Sequence, residues 1–173
     1  MKKTILAIVL TIAATISVSA NQFTPAQKQT IAYGKRLKDA QDQLGSKKHF
    51  QLIESKTNED GSNSSIFSVN NQIALTTTAD YKGIKSFIFA GRSDGTNQGS
   101  ITFLFAAVST VMALDNPYMS QQERLQILNG LGLGANTPVI TSKDPLEFNI
   151  NNYHITSSYQ PNIGFLITAD RMK

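Results

Sequence analysis

Apolar and polar positions in this chain change period several times, and the changes mark its elements. Thr24 stands where a helix N-cap is wanted, Pro25 suits the first helical position, and Gly45 supplies a stop. Between them Ile31, Leu37, Ala40 and Leu44, with Ala32 or Tyr33, recur at helical spacing and predict one buried stripe. Beyond Gly45 the period shortens to two. Residues 49–54, 65–70, 72–78 and 84–90 read as strands rich in β-branched and aromatic side chains. Residues 56–64, with Asp60-Gly61, read as a polar loop. Asn70-Asn71 reads as a tight hairpin, because asparagine tolerates positive φ. The run 84–90 is apolar on both faces, the pattern of a covered central strand.

The folding centre is expected at 83–130. A glycine-punctuated loop at 91–99 leads into 101–114, a segment apolar on nearly every side that has no face to offer water. It is too short to cross a bilayer, which takes roughly 20 residues. After Asn116-Pro117, Ser120 and Glu123 form a capping-box signature, and Gly130 stands where a left-handed stop is wanted. Strand patterns resume at 137–141, 146–150, 153–158 and 163–169, broken by Asp144-Pro145, Asn151-Asn152 and Pro161-Asn162.

A repeat runs through this order. Phe67-Ser-Val-Asn-Asn71 is echoed by Phe148-Asn-Ile-Asn-Asn152, and Thr76-Thr77 by Ser157-Ser158. After a shift of two residues, Ile84 and 87–90 match Ile163 and 166–169. The expected class is therefore α+β: an antiparallel sheet with packed helices, built as a duplicated helix-plus-four-strand meander. The expected halves are 21–98 and 99–173, sharing one core. In layout alone, with no family motif, this resembles the cystatin-like or tandem β-lactamase-inhibitor architecture, which hosts inhibitors, binding modules and some enzymes.

The first 20 residues are set apart. Lys2 and Lys3 precede an uncharged, mainly apolar run from Thr4 to Ile16, and Val18-Ser19-Ala20 offers small residues for cleavage. This is a Sec-type signal peptide, with cleavage expected after Ala20 and a bacterial periplasmic or secreted destination. No other stretch is long and apolar enough to span a membrane. Removal of the two leader lysines leaves 14 basic against 12 acidic residues, a balance of +2 that does not argue for nucleic acid. There are no cysteines, so an exported chain of this kind is held by packing without disulfides.

Candidate chemistry centres on 91–100. Helix-entry amides there lack intrahelical partners, Arg92 offers a two-point anion clamp, and Ser93, Asp94, Thr96, Asn97 and Ser100 add polar groups. The Gly-Lys-Ser/Thr ending of a P-loop is missing, and a plain connection turned by Asp94-Gly95 and capped by Ser100 explains the same residues. Tyr81, Tyr153 and Tyr159, near strand ends, are candidate partner contacts. His154 has two conflicting readings: the repeat aligns it with inward Ile73, while its apolar neighbours Tyr153 and Ile155 put it on the outer face. His49 and His154 lie too far apart in sequence to mark a metal motif, and no calcium-loop pattern occurs; no metal or cofactor is expected. Glu54, Asp80, Asp94, Asp115 and Glu147 are the carboxylates open to a glycosidase pair, with nothing to select two of them.

The expected function is a non-enzymatic binding or inhibitor module that engages another protein or a surface ligand rather than a small metabolite. The alternative is a small periplasmic hydrolase or ligand-binding enzyme with its site at the 91–100 loop.

Overall fold

The computed structural model describes residues 23–134 and 144–173. The leader, its cleavage point and the strand expected at 137–141 lie outside the described residues. Within them the order is α1 (Pro25–Gln43), β1 (Gln51–Thr57), β2 (Asn63–Asn70), β3 (Ile73–Asp80), β4 (Gly83–Gly91), α2 (Asn97–Met112), α3 (Gln121–Gly130), β5 (Leu146–Ile150), β6 (Tyr153–Gln160) and β7 (Gly164–Arg171). These strands form one seven-stranded sheet in the order β1-β2-β3-β4-β7-β6-β5, antiparallel throughout. The chain is therefore α+β. No helix among the described residues is long and apolar enough to cross a membrane.

Helix α1 begins as its residues dictate. The Thr24 hydroxyl accepts from Gln27 N, the Gln27 side chain accepts from Thr24 N at 2.8 Å, and Pro25 follows. It ends at Gly45, whose φ of 74° lets Ser46 N reach Gln41 O at 2.9 Å. The buried stripe is Ala26, Thr30, Tyr33, Leu37 and Ala40, while Ile31 points to solvent at 51 % exposure. Thr30 can sit in that stripe because Asn63 Nδ2 lies 2.9 Å from its hydroxyl. Hydrophobicity alone had favoured Ile31.

The strands reach further into the polar stretch than the composition predicts. β1 extends to Thr57 and β2 starts at Asn63, so the loop narrows to 58–62, where Gly61 has φ 78° and Asp60 accepts from Ser62 N and Oγ. Serines and asparagine serve as strand residues here because they satisfy one another: Asn63 Nδ2 also lies 2.8 Å from Ser65 Oγ and 3.0 Å from Ser55 Oγ.

Two three-stranded meanders, β2-β3-β4 and β5-β6-β7, meet where Phe87 pairs with Ala169 and Phe89 with Ile167. Their register differs from the simple sequence match. A bulge between Ser68 and Asn70 takes up one residue in the first hairpin, whereas in the second Ile150 pairs with Tyr153 across Asn151, at φ 49°. Leu75, opposite Phe67, therefore corresponds to Ile155, opposite Phe148, and not to Thr156. By the same pairing Thr77 corresponds to Ser157 and Phe87 to Ile167, all four buried. The match of 87–90 to 166–169 puts inward Phe87 on Leu166, which lies on the other face.

All three helices lie on one side of the sheet. Helix α1 packs against β2, β3 and β4, α2 against α1 and β4, and α3 against α2 and β5. Tyr33, Phe67, Leu75, Phe87, Phe89, Met112, Ile155 and Ile167 belong to one continuous core drawn from both meanders. The Tyr33 hydroxyl donates to Thr110 O at 3.0 Å, and burial pushes its phenol pKa up. Strand β4 is central but not covered on both faces: Phe87 and Phe89 are buried, while Ile88 between them is 52 % exposed. Helix α2 likewise departs from all-round burial. It is buried from Ala106 to Met112, yet Ile101 is 45 % exposed and Phe103, Leu104 and Phe105 are only partly covered.

Helix α3 carries the expected Ser120–Glu123 capping box, but Gly130 is not its left-handed stop. That residue is Gly132, at φ 69°, followed by Leu133 N donating to Leu128 O at 2.9 Å. Gly130 is needed for another reason: a Cβ there would sit 2.8 Å from the Phe148 ring of β5.

Candidate functional site

The loop expected to bind an anion is occupied by its own side chains. Thr96, rather than Ser100, caps α2, its hydroxyl accepting from Gly99 N at 2.9 Å. Asp94 accepts from Thr96 N at 2.9 Å and Thr96 Oγ1 at 2.6 Å, and a Cβ on Gly99 would collide with its carboxylate. The Thr96 hydroxyl and amide hold the Asp94 carboxyl below its usual range, with Lys48 adding to the effect. A carboxylate supplied by the chain thus stands at this helix start, held by the N-cap residue Thr96. Ser93 Oγ and Ser100 Oγ lie 2.9 Å apart, and Gly95 N donates to Ser93 Oγ. Asn97 is the first helical residue, and Arg92 is exposed, its backbone N–H donating to Gln72 O at 3.2 Å.

The three tyrosines do not form one surface. Tyr81 is 68 % exposed in the β3–β4 turn, with Lys82 Nζ 5.5 Å from its ring centroid. Tyr159 is 47 % exposed beside the β6–β7 turn. Antiparallel pairing of β4 with β7 places these turns at opposite ends of the sheet. Tyr153 is not a contact residue: it is buried, its hydroxyl donating to Ile84 O at 2.7 Å, and burial raises its phenol pKa.

His154 follows its local pattern and not the repeat. It faces outward between buried Tyr153 and Ile155, with Nδ1 2.9 Å from Asn149 Oδ1 and Nε2 3.7 Å from Glu147. Ser157 points the other way and donates to Leu131 O, so no serine–histidine pair forms on this strand. His49 Nε2 lies 2.7 Å from Asp42 Oδ1, an ion-pair geometry at the C-terminal end of α1. Among the candidate carboxylates, Asp80 is paired with Arg171. Glu54 and Glu147 stand on the two outermost strands, about 29 Å apart by strand spacing, well beyond the roughly 5–9.5 Å of a glycosidase pair. No His, Asp and Glu cluster suited to a metal occurs among the described residues.

The surface that the sequence reading did not single out is the face of the sheet on which, among the described residues, no helix lies. Register aligns its outward side chains in rows across the strands. The central row runs Glu54, Ile66, Thr76, Ile88, Thr168, Thr156, Glu147. A second runs Gln51, Ser68, Ala74, Ala90, Leu166, Ser158, and a third Lys56, Ser64, Thr78, Ser86, Asp170, His154, Asn149. Within these rows charge falls at the ends of the first and in the third, where Asp170 stands on central β7, and exposed Lys85 lies outside the rows at the β4 bulge. Between them lie small hydroxyls and exposed aliphatics, with Ile66 at 38 % and Ile88 at 52 %. The available signal was compositional: apart from Ile66 and His154, the outward positions of β2, β3 and β6 in these rows carry serine, threonine and alanine and no lysine or glutamate. Comparison with protein families, with curated proteins and with solved structures finds no match to this chain.

Proposed function

We propose that this chain is an exported binding or inhibitor module whose sheet face opposite the described helices engages another protein. One observation carries the reading: no described residue covers this broad sheet face, and the middle of its first two rows carries no charge. Antiparallel sheets often leave one face to water, but that face is then usually polar and charged. Here aliphatic Ile66, Ile88 and Leu166 stand among small hydroxyl side chains with charge toward the margin, and depletion of charge from the core of a patch with a polar rim is a feature of protein interfaces. Seven strands spaced about 4.8 Å apart and three side-chain rows give a face of roughly 700 Å². A stable interface buries about 800 Å² on each side. A protein surface fits that size; a small metabolite does not.

The same reading takes the two meanders as copies of one duplicated unit, in a layout like that of tandem inhibitors. Its support is the corresponding buried positions Leu75 and Ile155, Thr77 and Ser157, Phe87 and Ile167, once the bulge in the first hairpin is allowed for. The leader pattern at 1–20 supports delivery to the periplasm or beyond.

Ile88→Arg tests the binding reading. The side chain is half exposed, so the variant is expected to melt within a few degrees of wild type. Partners captured from periplasmic and extracellular fractions by the wild-type protein should be lost to it. Capture that is indifferent to this substitution would move the interface elsewhere.

A further inference from the structure

On the opposite side of the molecule the described residues of the helical layer leave a second open surface. The C-terminal end of α1, the partly covered half of α2 and the face of α3 enclose a hollow of about 350 Å³, floored by Leu44, Leu104, Phe105, Val108, Leu125 and Leu128. A second hollow of about 190 Å³ adjoins it, lined by Lys47, Gln98, Ile101 and again Phe105. Phe105 therefore lines both hollows, and the second also has Ser46 and Thr102 beside Ile101. Ile101 and Leu125 stand at 45 % and 50 % exposure beside them.

Charge at this groove has one sign. Arg124 lines the first hollow and Lys47 the second, and no carboxylate lines either. The nearby acids are engaged internally: Glu123 accepts from Ser120 N, Asp94 from Thr96, and Asp42 meets Lys38 and His49. We propose that this groove receives an amphipathic helix of a partner protein, with one apolar anchor on each side of Phe105 and acidic flanking residues. Side chains three or four apart on a helix are about 5–6 Å apart at Cβ, a spacing suited to adjoining seats. A bilayer favours apolar side chains that project. This surface is concave, and Gln43, Gln98 and Gln121 line it with groups that can hydrogen-bond a peptide. Because it lies across the sheet from the face described above, the groove can be filled while that face is occupied.

Two short synthetic helical peptides test this, one with leucines four residues apart flanked by glutamates, the other identical but flanked by lysines. Methyl NMR shifts of Leu104, Leu125 and Leu128 and peptide fluorescence anisotropy are the readouts. The glutamate peptide is expected to shift these methyls, and Lys47→Glu with Arg124→Glu to weaken it roughly tenfold with the melting curve unchanged. Absence of shifts, equal binding of both peptides, or indifference to charge reversal would overturn the proposal. Phosphatidylglycerol vesicles form the third arm. Co-sedimentation that depends on Leu125, without a response to either peptide, would assign the groove to lipid and also overturn it.

Discussion

At the scale of single residues, the local signals in the sequence are reliable wherever a side chain answers only to its neighbours. The caps at Thr24 and Ser120 and the stop at Gly45 were legible because a cap needs nothing beyond its own helix. Of the two readings open for His154, the structure follows the one drawn from its flanking apolar residues. What was not legible is pairing across the fold. Asp80 and Arg171 lie at the ends of β3 and β7 and meet only because β4 joins the two meanders. Burial alone would raise the Asp80 carboxyl, but the Arg171 guanidinium and the amides of Lys82 and Gly83 together hold it below its usual value. A carboxyl depressed in the folded state stabilises fully above its unfolded pKa, about 3.9, and that contribution is lost as pH falls through the folded value. Asp80→Asn should therefore cost about 1.5–3 kcal/mol at neutral pH. The gap from wild type should shrink below about pH 4. Thermal melts of both proteins across that range measure it, and a gap independent of pH would remove the ion pair from the account.

At the scale of elements, length and type were predicted better than coverage. Helix α2 is as apolar as the sequence implied, yet apolarity does not say which neighbours arrive. Its C-terminal half is enclosed by α1 and the sheet, while its first turns are left beside the groove. Val108 at 2 % exposure and partly covered Leu104 should accordingly answer differently to the same change. Val108→Asp buries an unpaired charge and should abolish the cooperative melt, a loss on the order of the whole 5–15 kcal/mol of a domain. Leu104→Asp should fold, with a modestly lowered melting temperature. Near-UV circular dichroism and thermal melts separate the two, and equal behaviour would contradict the one-sided burial. Gly130 and Gly132 carry a related lesson. Either glycine suits a helix stop from sequence alone, and only the approach of Phe148 reveals why Gly130 is inside the helix.

At the scale of the whole molecule, the sequence conveyed the α+β class but not the sidedness of the sheet. A strand apolar at 84–90 reads as covered on both faces, whereas Ile88 belongs to a face that no described helix reaches. The candidate loop at 91–100 was found because glycine and polar residues stand out. Its own Asp94 stands at the helix start that made it attractive. The sheet face was overlooked because it is marked by missing charges, and such a signal emerges only when register lines up residues from seven strands. The central claim, that this face is where a partner binds, is most directly tested by hydroxyl-radical labelling of the protein free and in its captured complex. Side chains of Ile66, Ile88 and Leu166 should lose labelling on binding, while exposed Tyr118 in the α2–α3 connection keeps it. Unchanged labelling of these three residues in a saturated complex would contradict the account.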